Sequence, residues 1–173
     1  MRRIAMILSM VGSLLALQMG SAHAATADTT IDTFPAQFVV SSATCSNLPS
    51  GTTVTGSGTE KSVTTTRTAA SGVTTIINAT HAHGTATDQD GKTYVFDYSN
   101  EFRASNTVQD PATLSGLMND HFSLAGSGPA TLSNGFLANF TAAADFSTFS
   151  AQPISSRGDP ISFPDGTAHC DPL

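Results

Sequence analysis

Two histidines separated by one residue, His81 and His83, are the side chains whose type and spacing point most directly to chemistry. Residues two apart on a β-strand point to the same face, so both imidazoles could bind one metal ion. Two ligands do not complete a metal site, however. The further candidates for a metal or acid–base centre are the histidines His121 and His169 and the acidic residues Asp97, Glu101 and Asp120. We therefore assign no metal and no cofactor, and keep the histidine pair as a candidate.

The face that the histidines occupy depends on the turn that follows them at residues 88–91, Asp-Gln-Asp-Gly. A three-residue hairpin loop with a left-handed Gly91 places His83 opposite Asp97 and turns both histidines away from the aromatic residues of the next strand. A two-residue turn shifts the register by one position and places His83 opposite Tyr98, among those aromatic residues. The sequence favours the first register and leaves the second open.

No other motif identifies a catalytic centre. A carboxylate precedes an imidazole at Asp120-His121, but neighbours on a strand point to opposite faces. The sequence contains no Gly-x-Ser-x-Gly, His-Glu-x-x-His or glycine-rich phosphate loop. The tripeptide Arg157-Gly158-Asp159 matches one that adhesion receptors read, although it consists of ordinary turn residues. We assign no catalytic residue, and an enzymatic function is the less favoured alternative.

The first 24 residues have the layout of a secretory signal peptide. Arg2 and Arg3 precede an apolar stretch that ends near Leu17, and the small residues around His23 fit a cleavage site. The apolar stretch is too short to span a membrane. We expect residues 1–24 to be removed and residues 25–173 to form a single secreted, extracellular β domain without a membrane span.

The chain from residue 25 onward is acidic. It keeps five Lys and Arg residues against 13 Asp and Glu residues, a formal charge of −8. A surface of this charge repels phosphate backbones and anionic lipid, so we expect no nucleic-acid partner. The acidity itself is typical of a soluble exported protein.

The two cysteines, Cys45 and Cys170, both lie after the expected cleavage site. In an oxidising compartment such a pair usually closes into a disulfide. The bond would enclose 125 positions. In the loop-entropy model a loop of this length stabilises the fold by about 4 to 5 kcal/mol. The sequence therefore predicts one structural disulfide.

Threonine and serine dominate the chain from residue 25, with 25 and 18 copies. Threonine is β-branched and suits a strand better than a helix, and the apolar residues alternate with polar ones between turn residues. The predicted strands are 36–43, 52–67, 73–87, 92–104, 114–125, 135–145 and 148–154. No long helical pattern is present.

The strand at 92–104 has the clearest apolar face, with Tyr94, Phe96 and Tyr98 at alternate positions. Phe122, Phe136 and Phe140 continue this pattern on later strands. These faces should meet in one interior, so we predict an all-β fold in which an antiparallel meander forms a single β-barrel or, alternatively, a β-sandwich. A barrel is favoured because closure removes exposed strand edges.

Several segments together are similar to a known group of proteins. They are Cys45 after the first strand, His83–Asp88 leading into Gly91–Tyr98, Asp120–Gly128, Arg157–Pro160 and His169–Pro172. On these segments the chain resembles a group of small secreted actinobacterial proteins of uncharacterised function. The resemblance spans most of the chain after residue 24 and implies export and a disulfide-tied β domain. It implies no activity and no catalytic residue.

Three function hypotheses follow. The first is a secreted binding or interaction module whose interior holds a small apolar ligand, because eight strands enclose room for one small molecule or for packed side chains. The residues expected to line the ligand are Tyr94, Phe96, Tyr98, Phe122, Phe136 and Phe140. The second is a barrel enzyme or metal-binding protein that uses His81, His83 or His121 in one concavity. The third is a surface adhesion or matrix protein that acts through an edge strand or the loop at Arg157.

Overall fold

The computed structural model describes residues 25–159, 161–162 and 167–170. The expected signal peptide at 1–24 lies outside the described residues. The described elements are all strands: β1 (Thr26–Ser41), β2 (Thr53–Thr68), β3 (Thr74–Asp88), β4 (Thr93–Ser105), β5 (Thr113–Gly126), β6 (Leu132–Ala143), β7 (Phe149–Arg157), β8 (Ile161–Ser162) and β9 (Thr167–Cys170). The all-β prediction is therefore confirmed. In the described part of the chain, no helix is long and apolar enough to cross a membrane.

The described strands form one sheet in the order β7-β6-β5-β4-β3-β2-β1-β9-β8. The first seven strands form the predicted antiparallel meander, in which each strand pairs with the next. Strand β9 pairs parallel with β1, and β8 pairs with β9. The predicted strands agree with β2 to β7 within a few residues. The first strand was predicted too short, since β1 begins at Thr26 rather than at 36, and β8 and β9 were not predicted.

The hairpin between β3 and β4 has the register that the three-residue turn predicted. Gly91 adopts a left-handed φ of 75°, and its backbone N–H donates to the Asp88 carbonyl at 3.1 Å. His83 lies opposite Asp97, and Phe96 lies opposite Gly84. The alternative register is wrong, because it would have placed Phe96 opposite Thr85.

The sheet is strongly curved at the end that carries the disulfide. The Phe38 ring on β1 lies 4.9 Å from the Phe96 ring on β4 and 5.4 Å from the Phe122 ring on β5, measured between centroids. In a flat sheet β1 and β4 would be roughly 14 Å apart, since adjacent strands are spaced by about 4.8 Å. Gly56 on β2 permits this approach, because a Cβ atom there would overlap the Phe38 ring. Curvature therefore brings β1 over β4 and β5.

Closure into a barrel, which the sequence predicted, is not shown by the strand pairing. No pairing joins β7 to β8, the two edges of the sheet, among the described residues. Only residues 158–160 separate these two edge strands along the chain. Asn134 on β6 donates from Nδ2 to the Asp159 carbonyl at 2.6 Å and to Cys170 Sγ at 3.4 Å. The edges of the open sheet thus approach each other at the disulfide end.

The predicted disulfide is confirmed. Cys45 and Cys170 are bonded, which ties the loop after β1 to the end of β9 across 125 positions. Both residues are buried in the hydrophobic core at the curved end of the sheet. The bond indicates an oxidising compartment, because cytosolic thiols are usually kept reduced.

Candidate functional site on the inner face of the sheet

The inner face, defined as the face on which Phe96 and Phe122 lie, carries two separate hydrophobic clusters. On β2 to β6 it consists of the even-numbered positions, because side chains alternate and the registers pair even with even. The first cluster contains Tyr94, Phe96 and Phe122, with Tyr98 packed against it. The second contains Phe136 and Phe140. All six aromatic residues predicted to line a ligand therefore lie on this face.

A band of polar side chains separates the two clusters. Along β5, the inner-face residue Asp120 lies between Phe122 of the first cluster and Met118 of the second. Asn100 on β4 and Phe136 on β6 are its neighbours across the sheet. We call the following residues the polar band: Ser62, Thr64, Asn78, Thr80, Tyr98, Asn100 and Asp120.

On β2 and β3 the polar band satisfies its own hydrogen bonds. Asn78 Nδ2 donates to Ser62 Oγ at 2.9 Å and to Thr64 Oγ1 at 2.8 Å. The Thr80 hydroxyl lies 3.0 Å from Ser62 Oγ and 3.1 Å from Asn78 Oδ1. Buried polar groups are expected to be paired in this way, so this half of the band has a structural role.

On β4 and β5 the polar band leaves one atom unpaired. The Tyr98 hydroxyl donates to Asp120 Oδ2 at 2.8 Å, and Asn100 Nδ2 donates to the same oxygen at 2.9 Å. The other oxygen, Oδ1, is buried and has no hydrogen-bond partner among the described residues. Asp120 as a whole residue is 2% exposed. A buried acceptor without a donor is costly, by about 1 to 3 kcal/mol, and each such atom calls for an explanation.

The same environment shifts the protonation of both groups. Burial raises the pKa of Asp120 to about 6, although the hydrogen bonds from Asn100 and Tyr98 and the nearby His121 act in the opposite direction. Burial, with the charge of Asp120, raises the pKa of Tyr98 well above its usual value. Tyr98 therefore remains a protonated donor, whereas Asp120 changes its charge close to neutral pH.

Asp88, at the end of β3, shows how a buried carboxylate of this protein is normally satisfied. Its Oδ2 accepts from the Tyr94 hydroxyl at 2.7 Å, and its Oδ1 accepts from the backbone N–H groups of Asp90 and Lys92, each at 2.9 Å. Burial opposes ionisation of Asp88, but these hydrogen bonds outweigh it and lower its pKa. Asp120 has a comparable tyrosine donor, but its second oxygen has no partner in the part of the chain that the structure describes.

The Lys and Arg side chains of the sheet are restricted to one face. The Lys and Arg residues of the described strands lie on the outer face, at Lys61, Arg67, Arg103 and Arg157, as their registers show. Glu60 instead lies on the inner face, in the same cross-strand row as Tyr98. Burial raises the pKa of Glu60. On the inner face, β1 to β7 thus present carboxylates and no Lys or Arg side chain.

The histidines predicted as a metal or acid–base centre lie on the outer face. His81 Nε2 is 2.8 Å from Asp97 Oδ2, and both side chains are about half exposed, at 54% and 52%. The His81 and His83 rings are 5.4 Å apart. His121 lies in the same cross-strand row as His81, with Ser99 between them. No group of three potential metal ligands occurs among the described residues.

The adhesion tripeptide lies where β7 ends. Arg157 is the last residue of β7 and is exposed, and Gly158 adopts a left-handed φ of 63°. The Asp159 backbone carbonyl accepts the hydrogen bond from Asn134, so the turn is held against β6. Through this hydrogen bond the tripeptide has a structural role, because it lies in the connection between the edge strands β7 and β8.

Asp120 was predicted as an acidic candidate beside the histidines, and its alignment with Tyr98 and Asn100 was not predicted. The sequence did not determine the register of β4 with β5, and it is this register that places Asn100 opposite Asp120. Comparison of the chain with models of protein families, with curated proteins and with solved structures finds no match. The geometry of the inner face is therefore the basis on which a function can be argued.

Proposed function

We propose that the protein is a secreted binding module that holds one small, largely apolar ligand on the inner face of its curved sheet. The observation that carries this proposal is the polar band with its unpaired, buried Asp120 oxygen between two aromatic clusters. Ligand sites in proteins are typically apolar concavities with a few well-placed polar groups. The inner face has this composition.

Curvature supports the concavity that the proposal needs. The Phe38 contacts fold β1 over β4 and β5, and Asn134 links β6 to the segment that contains Cys170. Three residues of extended chain reach at most about 14 Å between flanking Cα atoms, which limits the gap between the ends of β7 and β8. We infer that the sheet acts as a barrel whose wall is open along the remaining length of β1 and β7.

The face remains reachable near the polar band. Thr80, Tyr98 and Phe102 are only partly buried, in contrast to the closed first cluster around Phe122. A ligand that enters at this point would contact the second cluster with its apolar body and the polar band with its polar end. The alternative of an enzyme using the histidines required two of them in one concavity, and His81, His83 and His121 lie on the outer face instead.

The test uses native mass spectrometry to count bound molecules and a single tryptophan to locate them. The chain contains no tryptophan, so one introduced residue is a unique fluorophore. Phe102→Trp places it on the inner face next to the second cluster, and Val95→Trp places a matched control on the outer face, where Val95 is 62% exposed. Both variants are titrated with the neutral probe 1-decanol.

We expect one bound probe per chain and a saturable blue shift of the emission from Phe102→Trp, with no shift from Val95→Trp. Binding excludes water from the inner-face fluorophore, which is the physical reason for the shift. The absence of any bound molecule, or an equal shift in both variants, would show that the inner face is only a packed core and would refute the proposal.

A further inference from the structure

The unpaired oxygen of Asp120 restricts the chemistry of a ligand on the inner face. Asp120 Oδ2 already accepts two hydrogen bonds, from Tyr98 and Asn100, whereas Oδ1 accepts none from the described residues. Above its pKa of about 6 Asp120 is ionised, and an ionised carboxylate only accepts hydrogen bonds, so the group that completes the site in this form is a donor. A ligand carboxylate, ketone or ether offers only acceptors to the ionised form of Asp120.

The charges around Asp120 restrict the donor further. The inner face carries further carboxylates, Glu60 in the cross-strand row of Tyr98 and Asp32 four strands away in the row of Asp120. The Lys and Arg side chains of the described strands lie on the outer face, and His121, which favours the ionised form of Asp120, lies there too, so no Lys or Arg of these strands pairs with this carboxylate on the inner face. A buried charge is tolerated when an opposite charge pairs with it. The missing partner therefore has the properties of a cation.

The aromatic surroundings suit a cation with an apolar body. Phe136 is the cross-strand neighbour of Asp120 on β6, and the Tyr98 ring carries the hydroxyl that bonds it. Aromatic faces attract ammonium groups, and this attraction strengthens when the site excludes water. The second cluster continues from Phe136 to Phe140 and offers apolar surface next to the charge.

We propose that the ligand of the inner face is an apolar amine, whose protonated nitrogen donates a hydrogen bond to Asp120 Oδ1 while its hydrocarbon part packs on the second cluster. The inference rests on the proposed function, since it names the class of molecule for the same site. Asp120 is the specificity-determining residue, and Tyr98 and Asn100 are positioning residues that hold its carboxylate through Oδ2.

The test compares three probes with the same hydrocarbon chain, decylamine, 1-decanol and decanoate, by isothermal titration calorimetry near neutral pH. Each probe is titrated into the wild type, Asp120→Asn and Asp97→Asn. Asp97 is a matched control because the substitution removes the same charge from an exposed outer-face position. The asparagine at 120 keeps the size of the side chain while removing its negative charge.

We expect the wild type to bind decylamine at least about tenfold more tightly than 1-decanol, since hydrogen bonds to charged groups contribute about 1.5 to 3 kcal/mol. Decanoate should bind most weakly. Asp120→Asn should reduce the amine affinity to that of the alcohol and leave the alcohol affinity within about threefold, which a general loss of folding would not do. Asp97→Asn should leave all three affinities unchanged.

The inference fails if the wild type binds 1-decanol or decanoate as tightly as decylamine, or if Asp120→Asn retains the amine preference. An equal loss of decylamine affinity in Asp97→Asn would also refute the inference, because the effect of Asp120→Asn would then come from net charge alone. Failure of all three probes to bind refutes the proposed function itself. Failure of the amine inference and failure of the proposed function are therefore distinguishable in one set of titrations.

Discussion

The substitution Asp120→Asn is expected to make the protein more stable at neutral pH and to leave its stability in acid largely unchanged. Asp120 is 2% exposed, and burial raises its pKa from 3.8 to about 6. A raised carboxyl pKa means that the folded state prefers the neutral form. The contribution of Asp120 to stability is therefore fully present below about pH 3.8 and is lost as the pH rises through about 6.

The size of this effect follows from the shift. A difference of about two pH units between the folded and unfolded pKa corresponds to about 3 kcal/mol, at 1.36 kcal/mol per unit. Asparagine cannot ionise, so Asp120→Asn does not lose this stabilisation when the pH rises. We therefore expect the free energy of unfolding of Asp120→Asn, relative to wild type, to rise by about 3 kcal/mol between strongly acidic and neutral pH.

Urea denaturation followed by circular dichroism at a series of pH values measures this difference. The comparison with wild type cancels the contributions of the other carboxyl groups, which titrate in both proteins. Asp97→Asn is the control, because it removes a carboxylate of the same size from an exposed outer-face position. A constant difference between wild type and Asp120→Asn across the series would refute the interpretation of Asp120 as a buried carboxyl group whose ionisation destabilises the fold.

Three further predictions concern the framework of the sheet. Reduction of the Cys45–Cys170 bond should lower the free energy of unfolding by up to about 4 to 5 kcal/mol, and an unchanged melting temperature would contradict this. Gly84→Ala should destabilise by about 1 to 3 kcal/mol in urea denaturation, because a Cβ there would overlap the β2 backbone, whereas Thr85→Ala on the exposed side should change little. Asp97→Asn should cost less than about 1 kcal/mol near neutral pH, since its ion pair is exposed, and a larger loss in thermal denaturation would show that the pair is buried in solution.

Alternation and turn chemistry were sufficient to predict the middle of the sheet. Apolar residues at alternate positions placed Phe96 and Phe122 on one face, and the turn ending at Gly91 determined the register of β3 with β4. The histidine pair could be placed outside on this basis. A hairpin with a short loop has few registers, so its local residues carry enough information.

The ends of the sheet and the candidate site depend on contacts that no local pattern encodes. Strands β8 and β9 have two and four residues, too few to show a period. The N-terminal half of β1 is polar and exposed, and it is a strand because it pairs with β2. The loop between β4 and β5 covers residues 106–112, so no turn rule aligns Asn100 with Asp120. That alignment brings Asn100 Nδ2 to Asp120 Oδ2, while Oδ1 has no partner among the described residues.

The central claim is that the inner face of the sheet binds a small apolar ligand beside Asp120. The most direct test is an isotope-filtered nuclear Overhauser experiment on the labelled protein with unlabelled decylamine. The account predicts contacts from the amine methylene groups to the ring protons of Tyr98 and Phe136 on the inner face. Contacts confined to the exposed outer-face residues Val95 and Leu117, or no contacts at saturating decylamine, would contradict it.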